Sequence, residues 1–133
     1  MGASVAAVAG GERLEAGVGS TFGALAWEIE LAGARCLKLD ALVGEIMAHL
    51  PSEQRAQMME GMHLVDLLGQ QLTSLSAFAR RLGEMVGDEV RAPVGDAIAE
   101  MTLGALADRM SQALGGEEKG LMDGDDAGDL DLF

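Results

Sequence analysis

The chain has 133 residues, of which 49% are hydrophobic and 3% are aromatic, so its length allows one domain with tails. Its 22 acidic and 9 basic residues give a formal net charge of −13. This charge argues against nucleic acid or an anionic membrane as partner, because both are bound by clustered lysine and arginine. The single cysteine, Cys36, excludes an internal disulfide and fits a cytoplasmic location, and the first ten residues lack the basic region of a signal sequence.

A first long helix is predicted after a flexible start. Residues 1–19 contain five glycines and no sustained periodicity, which predicts a disordered or loosely packed arm. Ser20 is a suitable N-cap, and Pro51 ends the helix. Between them, apolar residues recur at the spacing of three and four that is typical of a coiled-coil seam, namely Phe22, Leu25, Ile29, Ala32, Cys36, Leu39, Val43, Ile46 and Leu50.

A second long helix is expected from about Glu53 to about Gly87, directly after a tight turn that Ser52 can cap. Its predicted seam has the same spacing and consists of Leu64, Leu68, Gln71, Leu75, Phe78, Leu82 and Met85. A third helix is expected from Pro93 to Leu114, closed by two glycines. Strand periodicity is absent from the sequence, so the predicted class is all-α, with residues 20–115 as the folded part.

A hairpin of two helices covers only half of each apolar stripe. Two hairpins that pack together as a four-helix bundle would bury both stripes, so the sequence predicts a homodimer.

The segment Asp66-Leu67-Leu68-Gly69-Gln70 carries the candidate chemistry. A carboxylate and an amide four residues apart project side by side from one face of a helix, and on a helical wheel this face is roughly opposite the leucine stripe. Gly69 lacks a side chain that would keep another backbone away. The segment therefore indicates a docking surface.

These residues resemble the signature Asp-x-x-Gly-Gln of the CheZ-type phosphatases of bacterial chemotaxis, and the looser Asp-x-x-x-Gln form of small CheT-like members. The resemblance covers about the last two thirds of the chain. It departs at Leu68, where the family usually has threonine. The resemblance implies a long helical hairpin, a homodimer, and an acidic linker that leads to a C-terminal peptide for the response regulator.

The resemblance implies hydrolysis of the aspartyl phosphate of a CheY-like response regulator. Gln70 would position the attacking water, because a neutral amide both donates and accepts hydrogen bonds, while Asp66 would pair with a receiver lysine. The receiver would supply Mg²⁺, so no cofactor of the chain's own is expected. His49 and His63 are isolated in the sequence, and no metal site is predicted.

Residues 116–133 are predicted to be an acidic linker and docking peptide. The last five residues, Asp129-Leu130-Asp131-Leu132-Phe133, alternate acidic and apolar side chains. Such a peptide can fill an apolar groove with basic rims on the response regulator and raise its local concentration near Gln70. A plain solubility tail is the alternative.

Two further alternatives stay open at the level of sequence. Asp108 and Gln112 repeat the spacing of the candidate pair, without the glycine and near a helix end. The second alternative concerns function: the chain would be a chemotaxis adaptor without catalysis, whose hairpin and acidic tail bind a receiver, a methyltransferase or a kinase.

Overall fold

The structure, a computed structural model, describes residues 14–116. Two long helices dominate it, α1 over Val18–Met47 and α2 over Ser52–Val86. Strand β1, Ala16–Gly17, precedes them. Strand β2, Arg91–Ala92, and the short helices α3, Val94–Ala99, and α4, Gly104–Ala113, follow. The predicted dominance of helix is confirmed, and the expectation of no strand is wrong.

The turn between the long helices is as tight as predicted. Only residues 48–51 separate α1 from α2, because Pro51 cannot continue a helix and can precede a new one. Arg55, one turn into α2, reaches back and donates hydrogen bonds to the carbonyls of Met47 (3.3 Å) and Leu50 (2.8 Å). These bonds satisfy acceptors that the end of α1 leaves open.

The described residues form two compact units. One contains residues 14–25 and 79–116, and the other contains residues 26–78. The core of the first unit is a cluster of buried side chains from its strand and short helices, namely Ala16, Val94, Ile98, Ala107, Met110 and Leu114. The second unit consists of the facing parts of α1 and α2 with the turn between them.

The segment after α2 is not the single helix predicted from Pro93 to Leu114. It is broken between Ala99 and Gly104, and both short helices turn buried residues into the core cluster of the first unit. A straight helix would carry its two halves away from a common centre, whereas the break lets Ile98 and Met110 join one cluster. Gly115, with φ of 94°, ends the segment in the left-handed region, which suits glycine.

The beginning of α1 is built by residues far away in sequence. Helix α1 starts at Val18, two residues before the predicted cap, and Gly17 and Ala16 pair with Arg91 and Ala92 as antiparallel strands. The side chain that caps α1 is Asp88, whose carboxylate accepts hydrogen bonds from the Ser20 N–H and Oγ, both at 2.7 Å. A two-residue strand has no periodicity for a sequence to reveal.

The predicted seam of α2 is wrong in register, and the predicted seam of α1 coincides with the observed one only at Phe22, Ile29, Cys36 and Val43. In the structure, α1 and α2 face each other along a stripe that is rich in small residues. In the first unit the stripe contains Gly19, Phe22, Ala79 and Gly83, and in the second unit it contains Ala26, Ile29, Gly33, Cys36, Asp40, Val43, Met47, Met58, Met62, Val65, Gly69, Leu72 and Ser76. These positions also recur at intervals of three and four, so α2 has two separate stripes with coiled-coil spacing, whereas the two stripes of α1 share every second position.

Small side chains explain why this stripe is the one that packs. A β-carbon on Gly83 would lie 2.8 Å from the Gly19 carbonyl oxygen, so the two backbones touch there. In the second unit, the buried Ser76 Oγ donates a 2.9 Å hydrogen bond to the Ala26 carbonyl. Approach this close gives dense contact between helices, which large leucines would prevent.

The two ends of the described chain lie in the first unit and are close to each other. The Gly95 N–H donates a 3.1 Å hydrogen bond to the Leu14 carbonyl. A β-carbon on Gly116 would lie 2.9 Å from Leu14 Cδ2. Within residues 14–116, no helix combines the length and the apolar character that crossing a membrane requires.

Candidate functional site on the second long helix

Asp66 and Gln70 lie in the middle of α2, one turn apart, and both side chains are exposed. The surrounding residues form a regular helix because good helix formers dominate, and the seam residues on either side are held against α1. The carboxylate and the amide therefore stand side by side on a rigid element, with the amide open to a partner.

Gly69, between them in sequence, is part of the seam. A β-carbon on Gly69 would lie 3.7 Å from Cys36 Cβ, an ordinary contact distance. The backbone that approaches this glycine is thus that of α1 in the same hairpin. Its predicted contact with a partner protein stays a prediction.

Asp40 of α1 interacts with Asp66 of α2 across the seam. A hydrogen bond with the Asp66 side chain raises the pKa of Asp40, and burial and the charge of Asp66 raise it further. Asp40 Oδ1 is buried and accepts no hydrogen bond from any of residues 14–116. Two ionised carboxylates cannot hydrogen-bond each other, so a hydrogen bond between Asp40 and Asp66 requires a proton on one of the two carboxyls.

The large apolar residues of α2 lie on the other side of the seam from Asp66 and Gln70. On a helix wound at about 100° per residue, this apolar stripe is about 100° to one side of the seam, and the two polar residues are about as far to the other. In the second unit the stripe comprises Leu64, Leu68, Gln71, Leu75 and Phe78, all of them exposed. Phe78 is 66% exposed and Leu64 is 68% exposed.

The second candidate pair, in α4, is split by burial. Asp108 is 2% exposed and belongs to the interior of the first unit, whereas Gln112 is exposed. A carboxylate in that position cannot reach a partner protein without unfolding the helix. The exposure of both side chains therefore favours Asp66 and Gln70 over Asp108 and Gln112.

His49 and His63 are exposed. Among residues 14–116, no three His, Cys, Asp or Glu side chains come together in a way that could hold a metal ion. The predicted docking residues Asp129, Leu130, Asp131, Leu132 and Phe133 lie outside the described residues, and so does the arm before Leu14.

Sequence reasoning missed Asp40. The signal that could have found it is its spacing: Asp40 follows Gly33 and Cys36 and precedes Val43 at seam intervals, so a carboxyl occupies a position where the pattern calls for an apolar side chain. Asp40 stands out as a polar seam residue only when the stripe of small residues, rather than the stripe of large apolar residues, is taken as the seam of α1.

The fold and site define a helical-hairpin protein whose second long helix presents an exposed carboxylate and amide. A model of the family described as a domain of unknown function, DUF8776, matches residues 19–133, so the chain belongs to this family. No curated protein and no solved structure matches the chain.

Proposed function

We propose that the protein is a phosphatase of a phosphorylated CheY-like response regulator, as the resemblance of residues 66–70 to the CheZ-type signature implies. The observation that carries the proposal is the joint exposure of Asp66 and Gln70, one turn apart on a rigid helix. Of the two pairs with this spacing, only this one leaves both side chains open to a partner.

The chain itself needs to supply only a small part of the catalysis. A phosphorylated receiver holds the aspartyl phosphate and supplies Mg²⁺, so what remains is to hold a water in line with phosphorus. The Gln70 amide accepts a hydrogen bond from that water and donates one to a phosphoryl oxygen. A carboxylate in its place would be repelled by the phosphate, so Asp66, one turn away, pairs with a receiver lysine and orients the helix.

The proposal includes a homodimer. The exposed stripe of α2 carries no charged residue from Leu64 to Phe78, whereas the chain as a whole has a net charge of −13. A second copy presents the same uncharged stripe, so the two can pack around a two-fold axis as a four-helix bundle. Asp66 and Gln70 lie across the seam from this stripe and stay accessible in such a dimer.

The C-terminal residues 129–133 tether the receiver in this proposal. Their apolar side chains bind a groove and their aspartates meet its basic rim, which raises the concentration of receiver near Gln70. The proposal also includes a cytoplasmic location, which is where chemotaxis receivers are found.

The test is phosphate release from a phosphorylated CheY-like receiver in the presence of the wild type or Gln70→Ala. If Gln70 orients the water, its loss slows release at least about tenfold, which corresponds to about 1.4 kcal/mol of barrier. Binding of the receiver changes little, because the docking carboxylate remains.

Gln112→Ala is the matched control, since it truncates an exposed glutamine in the other unit. Equal loss of rate in both variants contradicts a role specific to Gln70. Receiver binding by the wild type without any faster release contradicts catalysis and identifies the chain as an adaptor.

A further inference from the structure

The Asp40 side chain lies in the seam between the long helices, an environment that disfavours an ionised carboxylate. Its neighbours along the seam of α1 are Cys36 and Val43, and its Oδ1 is buried without a donor. A carboxylate there loses hydration without compensation, so the seam favours the neutral acid.

Asp66 faces Asp40 from α2, because the antiparallel helices also bring Cys36, four residues before Asp40, against Gly69, three residues after Asp66. The residues of α2 that pack on or flank this stretch of the seam, namely Met59, Met62, Val65, Asp66, Gly69 and Thr73, include one ionisable side chain, that of Asp66. Cys36 is the other ionisable group on the α1 side of the seam between Gly33 and Met47. His63 lies three residues before Asp66, and its side chain is exposed.

We propose that Asp40 is a positioning residue, whose protonated carboxyl donates a hydrogen bond across the seam and fixes the Asp66 carboxylate on the exposed face that it shares with Gln70. The inference rests on the proposed function, in which Asp66 docks the receiver. A carboxylate that is already held loses less side-chain entropy when it binds a lysine. When Asp40 ionises, two like charges meet, and Asp66 is pushed away from this orientation.

The direction of the pH effect follows. The raised pKa of Asp40 means that the hydrogen bond exists at low pH and is lost as pH rises through that pKa. Receiver affinity should fall over the same interval, and kcat, which depends on Gln70, should not.

The kinetic test compares the wild type with Asp40→Asn and Asp40→Val, using one receiver preparation at each pH. The amide of Asn donates at every pH, so the ratio of the wild-type KM to the Asn KM rises about threefold or more as pH increases from about 4. Titration of the receiver cancels in this ratio. Val fills the seam but cannot donate, so its KM is higher than that of the Asn variant at every pH, with kcat unchanged.

A ratio that stays flat, or equal KM values for the Asn and Val variants, overturns the proposal. Thermal unfolding of each variant checks that the hairpin is intact.

A second measurement needs no receiver. The side-chain carboxyl carbon of Asp40, followed by NMR, should titrate above the usual range in the wild type and closer to it in Asp66→Ala. Absence of this difference also overturns the proposal. If the wild type neither binds nor dephosphorylates the receiver, the proposed function fails together with the docking role of Asp40, but the titration difference persists, which distinguishes the two failures.

Discussion

At the scale of single residues, Asp88 and Asp40 respond to pH in opposite directions. Hydrogen bonds from the Ser20 side chain and then from its backbone N–H hold the pKa of Asp88 below its usual value. Asp88 therefore stabilises the fold at pH values above the unfolded-state pKa, and this contribution is lost as pH falls through the folded-state pKa. Asp40, with a raised pKa, stabilises the fold only while it holds its proton, and loses that contribution as pH rises.

We expect Asp88→Ala to lower the melting temperature at pH 7, because α1 loses the acceptor for its first-turn donors and the negative charge at its N-terminal end. The difference from the wild type should shrink as pH is lowered through the folded-state pKa of Asp88. Melting curves at a series of pH values test this. Glu89→Gln, which removes a neighbouring exposed charge, is the control, and a pH-independent difference for Asp88→Ala would contradict the account.

Gly17 shows how one residue permits another to act. A β-carbon at Gly17 would overlap the Asp88 carboxylate, so the carboxylate reaches Ser20 only because residue 17 has no side chain. Any larger residue there would displace the cap of α1. The hydrogen bonds between Asp88 and Ser20 thus require a residue without a β-carbon at position 17.

At the scale of elements, two glycines of α2 should respond oppositely to the same substitution. At Gly83 a new methyl group would lie 2.8 Å from the Gly19 carbonyl oxygen and 3.0 Å from Phe22 Cβ, whereas at Gly61 it would meet nothing within 4 Å. Gly83→Ala should destabilise the protein by about 1–3 kcal/mol, because packed backbone must move apart. Gly61→Ala should stabilise it by about 0.5–1 kcal/mol through helix propensity alone.

Urea unfolding of both variants measures these free energies. A stabilised Gly83→Ala protein would show that the long helices do not pack along the small-residue stripe. Because the two substitutions are chemically identical and lie in one helix, general effects of alanine cancel between them.

The long helices could be predicted from sequence because their signals are local. Pro51 and Ser52 mark the turn, and intervals of three and four run through both helices. The face of α2 that packs could not be predicted, since this helix has two stripes with these intervals and the stripe with the larger apolar side chains is the more hydrophobic one. The choice depends on how closely two backbones approach, which no single segment of sequence encodes.

The candidate site was predictable to the same degree. The exposure of Asp66 and Gln70 follows from their position on the helix, so a helical wheel is enough to predict it. Asp40 was missed because its meeting with Asp66 depends on the register between α1 and α2. The break between α3 and α4 was missed because Ile98, Met101 and Ala105 fit a single helical stripe that runs across it.

At the scale of the whole molecule, the uncovered apolar stripe of α2 predicts the oligomeric state. Leu67 and Leu68 are adjacent and similarly exposed, at 51% and 47%, but only Leu68 belongs to the stripe. We expect Leu68→Glu to convert the dimer to monomer, because a charge would be buried at the interface. Leu67→Glu should leave the dimer intact.

Light scattering during size-exclusion chromatography gives the mass of each variant. A wild-type mass of one chain would remove the homodimer from the proposed function, and dissociation by Leu67→Glu alone would move the interface to the face opposite the seam.

Leu14 and Gly116 lie next to each other, so the chain is suited to circular permutation. A short peptide can join them, since Leu14 already contacts the segment that contains Gly116, and new termini can then open in the exposed turn near His49 and Pro51. Circular permutation at such sites keeps every helix whole. In that permuted chain α2 would precede α1 in the sequence. Asp40 and Asp66 would still face each other across the seam.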